Sequence, residues 1–253
     1  MFTKLASLFF APLDAYEAAG MFSVSHLISL GVCLVLLCLA FWFSRRLTSN
    51  QVNQLTRYFA IMVTGLELIK IGYNFYYGYT WIDAWVPLSF CSLFIYATWL
   101  SGYGKGMMKD IGDAYIVIGC VLGGLGFLLM PTTSLMRYPI WHFLCLYSLL
   151  FHMMMIYLGV LYMTHRKVRI NWRTYCYFSI YFLISALICI VINTIYGSNL
   201  MILREPFNVP LPWIHQVKAN SQVAYTLMAV SAYLIGPGLL AWLMNCSLKN
   251  QKK

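Results

Sequence analysis

The sequence predicts an all-α membrane protein, a polytopic bundle of about seven transmembrane helices. Three observations carry that expectation. Of 253 residues, 61% are hydrophobic and only 9% charged, which leaves too little charge to wrap a soluble core. Apolar runs close to the roughly 20 residues that cross a bilayer recur along the chain. Lys and Arg gather in alternate loops, as the positive-inside rule requires.

The elements follow in order. The N-terminal stretch "KLASLFFAPLDAYEAAGMF" has a short apolar core that soon meets Asp14 and Glu17. It reads as an interfacial segment over residues 1–23, capping the bundle, rather than a signal peptide. Seven candidate spans fill 24–244, at 24–44, 57–77, 86–102, 112–130, 139–163, 174–196 and 222–244. The third is short and opens at Pro87, so a start near Ile82 with a kink is an alternative. The fourth reads "GCVLGGLGF", where Gly119 and Gly123 form a small-xxx-small pair suited to close helix approach. Residues 245–253 form a basic tail.

Orientation comes from charge. Twelve Lys and Arg, in the sets Arg45/Arg46/Arg57, Lys105/Lys109, Arg166/Lys167/Arg169/Arg173 and Lys249/Lys252/Lys253, fall at one end of the spans, against four (Lys4, Arg137, Arg204, Lys218) at the other. The N-terminus is therefore expected outside and the C-terminus in the cytoplasm of a multi-pass cell-membrane protein. The net charge of +10 is mostly this topology signal, with basic residues facing anionic lipid rather than nucleic acid. The eight Cys include no CxxC pair, and most sit in apolar runs where a free thiol behaves as a small hydrophobe. Nothing points to a cofactor, and the His142, Cys145 and His152 spacing is wrong for a helical zinc pair.

Polar residues inside the spans are the functional signal. A charge at a helix centre costs roughly 2.5–3.5 kcal/mol on insertion scales, and such residues mark function by default. Glu67, Lys70 and Asn74 share one helical face by their spacing. Together with His26 they are expected to line an outward-facing cavity, whose outer half also collects Cys91, Asn193 and Asn199. His152 lies deeper. At about 1.5 Å per residue, Cys91 sits about 6 Å below Pro87 and His152 about 20 Å below Pro139. Contact between the two requires an earlier start to the third span or a protruding fifth. A Cys within reach of a His makes a nucleophile and its base, the pairing that passes acyl groups through a thioester.

The ordered motifs "SHL" (His26), "VPLSFC" (Pro87, Leu88, Cys91), "FH" (His152) and "YGSNLMILREP" with Asn193 upstream (Gly197, Asn199, Pro206) resemble the YwaF-like family of bacterial integral membrane proteins, from about Met21 to Leu243. That family is related to a eukaryotic membrane acyltransferase that remodels ether phospholipids and depends on a Cys and a His. The resemblance implies acyl transfer to or from a lipid, with Cys91 matching the cysteine and His152 the histidine. This chain has Ser89 where the family usually has His two residues before the Cys. It reads Gly197-Ser198-Asn199-Leu200 where the family reads Gly-Thr-Asn-Tyr.

Three function classes follow. The first is a membrane-embedded acyltransferase or lipid hydrolase, with Cys91 attacking an acyl ester, His152 taking its proton, and Asn193 and Asn199 donating to the oxyanion. The membrane lipid is then both solvent and substrate. The second is a small-molecule transporter or sensor with the Glu67–Lys70 pair lining the cavity. The third is a non-catalytic accessory subunit packed on a membrane protein partner.

Overall fold

The computed structural model describes residues 7–207, 209 and 211–250. Lys4, Lys252 and Lys253 of the charge argument lie outside them. The described residues form helices and no strand. In order these are α1 Val24–Ser44, α2 Ser49–Tyr76, α3 Ile82–Trp85, α4 Leu93–Tyr103, α5 Gly106–Tyr115, a π-helical turn Ile116–Cys120, α6 Val121–Leu129, α7 Phe143–Thr164, α8 Trp172–Tyr196, α9 Pro212–Asn220 and α10 Gln222–Asn250. α10 runs on without interruption, so the boundary expected at residue 245 falls inside a helix.

Among the described residues, five stretches are long and apolar enough to cross a membrane: Val24–Ser44, Gly106–Met136, Phe143–Thr164, Trp172–Tyr196 and Gln222–Met244. The second predicted span is α2, with ample length at 28 residues, but Glu67, Lys70 and Asn74 make it more polar than these five. The third predicted span, 86–102, is broken. α3 holds four residues, α4 holds 11, and 86–92 between them is not helical. Pro87 explains the break, because proline removes a backbone donor and biases the preceding residue away from helix.

The helix ends follow their sequences. Ser23 caps α1 by accepting from the His26 amide, and Thr48 with Gln51 forms a capping box on α2. Asn171 caps α8, and Gly197 ends it at φ 70°, a left-handed position that glycine adopts without strain. The end of the bundle where α1 begins is called here the N-face; α2, α6 and α8 finish there.

The centre of the bundle is α7 with the α5–π–α6 unit. Some 67% of α7's most apolar stretch is buried, against 17% for α1 and 11% for α10, so those two flank the bundle with apolar sides open to lipid. Close approach at the centre uses glycine. Of the expected Gly119/Gly123 pair, a Cβ on Gly123 would fall 3.1 Å from the Phe90 ring and 3.2 Å from Met155 of α7. Other glycines pack closer still. A Cβ on Gly159 would fall 2.4 Å from Val121 and 2.8 Å from the Ile116 carbonyl, and one on Gly124 would fall 2.9 Å from the His152 carbonyl. A Cβ on Gly112 would meet the Ser101 amide at 2.6 Å and the Ala97 carbonyl at 2.7 Å. Gly119 instead makes room for the ring of Tyr115 in the preceding turn.

The opposite end is closed by a buried polar network. Arg166 holds Asp113 with two hydrogen bonds, 3.0 and 2.7 Å, and lies 4.2 Å over the Tyr162 ring. The Tyr162 hydroxyl joins Ser101 at 2.6 Å and Thr56 at 2.8 Å, and Ser101 donates to Asp113. Lys109 donates to the Ser101 carbonyl at 2.9 Å. Four helices and a loop are thereby tied by groups whose hydrogen-bonding needs are met.

Two outcomes follow. Gly112→Ala and Gly159→Ala should each destabilise the protein by about 1–3 kcal/mol through overpacking, read as a lowered thermal midpoint in detergent. Asp113→Ala should cost about 3–5 kcal/mol, because it strands a buried guanidinium, whereas replacing both partners with Leu and Met should recover most of that loss.

Candidate functional site around the broken third span

Cys91 lies in the non-helical stretch that Pro87 creates, half-buried and packed against the main core. The backbone here is held by side chains from other helices. Cys189 on α8 bonds the Leu88 carbonyl at 3.4 Å, Tyr115 donates to the Phe90 carbonyl, and Tyr181 donates to the Leu93 carbonyl at 2.9 Å. The Phe90 ring stacks on Tyr233 at 4.7 Å and meets Phe178 and Phe182 edge-on. Ser89, at the position where the resembled family has His, accepts from the Ser92 amide at 3.1 Å and pairs with its hydroxyl at 2.7 Å, bracing the turn that leads into α4. Tyr115 ends α5 and the π turn follows directly at Ile116–Cys120; π turns inside helices gather at functional sites.

His152 is buried on α7, its ring stacked on Phe127 at 3.7 Å with planes 7° apart. Nδ1 lies 2.6 Å from the Ser148 carbonyl, one turn back, so it carries the proton. Nε2 is buried with no hydrogen-bond partner. The imidazole therefore offers a free lone pair, and it does not hold the Cys91 thiol in a hydrogen bond. The dyad expected from the sequence is not closed in this state. Catalytic hydrogen bonds commonly tighten only when substrate is bound.

Glu67 and Lys70 do meet, with Oε1 2.5 Å from Nζ. Oε2 accepts from the Tyr147 hydroxyl at 2.5 Å, so the pair is a triad joining α2 to α7. Glu67 is buried, and the Lys70 side chain is one-fifth exposed.

The other residues expected at the cavity are engaged elsewhere. His26 receives the Phe22 amide on Nδ1 at 3.1 Å and reaches the Leu128 carbonyl through Nε2 at 3.0 Å, pinning α1 to the end of α6. Asn74 donates to the Ala84 carbonyl, holding α3. Asn193 donates to the Leu200 carbonyl at 3.0 Å, while its oxygen receives the Ser198 hydroxyl and the Leu200 amide, both at 2.8 Å. Asn199 donates to the Glu205 carbonyl and accepts the amides of Arg204 and Glu205. These two asparagines shape the loop after α8 rather than face a reacting carbonyl. The reason is general: a chain that leaves helical form inside the bundle must pair its freed backbone groups, and Asn and His are compact groups that can do so.

An open groove of about 420 Å³ runs between the N-terminal segment and α2, walled by Phe10, Ile69, Tyr73, Tyr76 and Tyr77. It shares no wall residue with Cys91 or His152. Among the described residues no cluster of three or more His, Cys, Asp or Glu is placed to hold a metal ion. Sequence reasoning missed Tyr147, Tyr115 and Tyr233, since a tyrosine in an aromatic-rich span gives no signal of its own. It also missed the Asp113–Arg166 pair; the i, i+4 placement of Lys109 and Asp113 was its only local trace.

The N-terminal segment is fastened at the N-face through His142. Its Nε2 lies 3.0 Å from the Ala11 carbonyl, its Nδ1 caps α7 by accepting the Leu144 amide at 3.1 Å, and its ring stacks on Tyr138 at 4.2 Å. Tyr73 also donates to the Ala11 carbonyl, at 2.6 Å.

Helices able to cross a membrane, with apolar residues on their exposed flanks, define an integral membrane protein with a polytopic helical fold. The family model of the TMEM164 family matches residues 21–237, and the chain belongs to that family. No curated protein and no solved structure matches it.

Burial pushes the His142 imidazole below its ordinary value of 6.5. The unfolded chain then takes up the proton first, so stability is full above about pH 6.5 and declines as pH falls below it. His142→Asn keeps a capping acceptor without a titrating ring and should reduce that slope in thermal unfolding measured across pH 5–8.

Proposed function

We propose that the protein is a cell-membrane acyltransferase in which Cys91 carries the acyl group as a thioester. The carrying observation is the placement of a half-buried thiol in a broken span, with a neighbouring helix presenting a buried imidazole whose Nε2 lone pair is unclaimed. The sequence resemblance, which matches Cys91 and His152 to a cysteine and histidine used in lipid acyl transfer, supports the same reading.

The chemistry balances in two halves. Cys91 Sγ attacks the ester carbonyl of a phospholipid or lipid-linked acyl donor, the ester C–O bond breaks, and the thiol proton passes through a base to the departing alcohol. An acceptor hydroxyl then attacks the thioester. His152 Nε2 takes that proton and returns it to the departing thiolate. With water as acceptor the same steps give a lipid hydrolase.

Seven passes complete the proposal, with α2 and the broken α3–α4 unit added to the five uniformly apolar stretches. The basic loops between α1 and α2, α4 and α5, and α7 and α8 then face the cytoplasm, and the N-face lies outside. A transporter or sensor built on Glu67 and Lys70 gains no separate support, because both Glu67 oxygens are already engaged.

In phospholipid nanodiscs, wild-type protein should transfer a radiolabelled acyl chain and carry a hydroxylamine-labile acyl group on the Cys91 peptide. Cys91→Ala and His152→Ala should each fall to background while keeping the wild-type thermal midpoint. Undiminished turnover in both variants would end this reading.

A further inference from the structure

Two histidines at the N-face are bonded in the same way. His142 accepts the Leu144 amide on Nδ1 at 3.1 Å and reaches the Ala11 carbonyl through Nε2 at 3.0 Å. His26 accepts the Phe22 amide on Nδ1 at 3.1 Å and reaches the Leu128 carbonyl through Nε2 at 3.0 Å. An amide N–H only donates and a carbonyl only accepts, so a single form of the ring makes both bonds: neutral, with its hydrogen on Nε2. A second proton, on Nδ1, would face an N–H. Both rings are sealed, at 0% and 1% exposed. The two bonds fall near the ends of the N-terminal segment, residues 7–22, of which Ala11 alone is buried. Phe9 and Phe10 rest on the Phe143 ring. The remaining ties are single hydrogen bonds: Tyr77 and Tyr73 to the carbonyls of Phe10 and Ala11, the Leu13 amide to Tyr79, and the Ala19 and Gly20 amides to the carbonyls of Tyr138 and Leu135. A segment with so little buried surface opens at low cost.

We propose that His142 and His26 are proton-operated clips, which hold residues 7–22 on the N-face and let them go when the medium there turns acid. Acyl transfer at Cys91 is not required for this. The groups around the two rings do not compensate an imidazolium. Tyr138 stacks on His142 at 4.2 Å and Tyr73 meets it edge-on at 5.6 Å, and a phenol stays neutral in acid. Arg137, beside Tyr138, adds positive charge, while Asp14 and Glu17 on the segment are exposed and make no ion pair with either ring. On α7, Cys145 bonds the Tyr138 carbonyl and His152 the Ser148 carbonyl. On α2, Glu67 and Lys70 hold one another. Beside His26, α6 carries no titratable side chain and α1 adds only cysteines. A ring that gains a proton therefore loses the amide it accepted, and it meets water only when the segment lifts. Burial also holds the His142 imidazole below its ordinary value, so the released form takes the proton first. Release removes Phe10 from the wall of the groove beside α2, so acid widens that groove toward the N-face.

Hydrogen–deuterium exchange of the full chain in phosphatidylcholine nanodiscs reads the release, as protection factors corrected for the intrinsic pH dependence of exchange. Between pH 7.5 and pH 5.0, protection of the Leu13, Ala19 and Gly20 amides should fall by about 10-fold or more, while α7 and the Asp113–Arg166 end keep theirs. His26→Gln combined with His142→Asn leaves an acceptor for each amide without a titrating ring. Its segment should be less protected than wild type at pH 7.5 and lose nothing further at pH 5.0. Equal protection of the wild-type segment at both pH values overturns the proposal. So does a fall that persists in the double variant, or a loss spread evenly over the bundle. If the double variant does not fold, nitrogen NMR of wild-type protein labelled at histidine decides. Nδ1 of both rings should be bare at pH 7.5 and gain its proton in step with the loss of protection, and rings that stay neutral while the segment opens overturn the assignment.

Discussion

A polypeptide that leaves helical form inside a bilayer must find partners for every backbone group it sets free, because lipid supplies none. Each buried group left unpaired costs about 1–3 kcal/mol. This constraint organises the molecule. At the broken third span the carbonyls of Ala84, Leu88, Phe90 and Leu93 are each met by a side chain from elsewhere: Asn74, Cys189, Tyr115 and Tyr181. At the loop after α8, Asn193 and Asn199 do the same. The polar residues of the spans are used first as backbone partners, and only what remains is available for chemistry.

That division gives the residual groups their meaning. Once the backbone partners are set aside, the interior retains the thiol of Cys91, the unclaimed nitrogen of His152, and the Lys70–Glu67–Tyr147 triad. Irregular backbone at membrane depth is tolerated where it is enclosed by protein or lines a cavity, and the half-buried Cys91 thiol sits on such a break without being locked into a helix ladder. At the far end the Asp113–Arg166 network fixes the helices relative to one another.

The membrane class and five of the spans were legible because hydropathy is additive along the chain and needs no tertiary knowledge. The break at Pro87 was half legible: proline announces a kink, but the length of the interruption depends on Tyr115 and Cys189 arriving from helices distant in sequence. Glu67 with Lys70 was readable as an i, i+3 pair, whereas Tyr147 could not be, since its partner lies 80 residues away. His26, Asn74 and Asn193 are buried and Asn199 partly so, and each bonds the chain's own backbone. Sequence shows that a buried amide needs a partner, not whether that partner is a ligand or the chain's own backbone.

The loop after α8 carries two consecutive left-handed residues without glycine, Met201 at φ 56° and Ile202 at φ 57°, a strain of about 1–3 kcal/mol each. The carbonyls of 201, 202 and 203 receive hydroxyls from Tyr233, Tyr225 and Thr226, all on α10. This helix buries little of its own surface. The last helix is thus held to the body by these three hydrogen bonds beside the Phe90–Tyr233 stack and the Tyr175 hydroxyl on the Leu234 carbonyl. The strain of the loop is therefore offset where α10 docks: each of the three carbonyls that the left-handed backbone turns outward meets a hydroxyl from that helix.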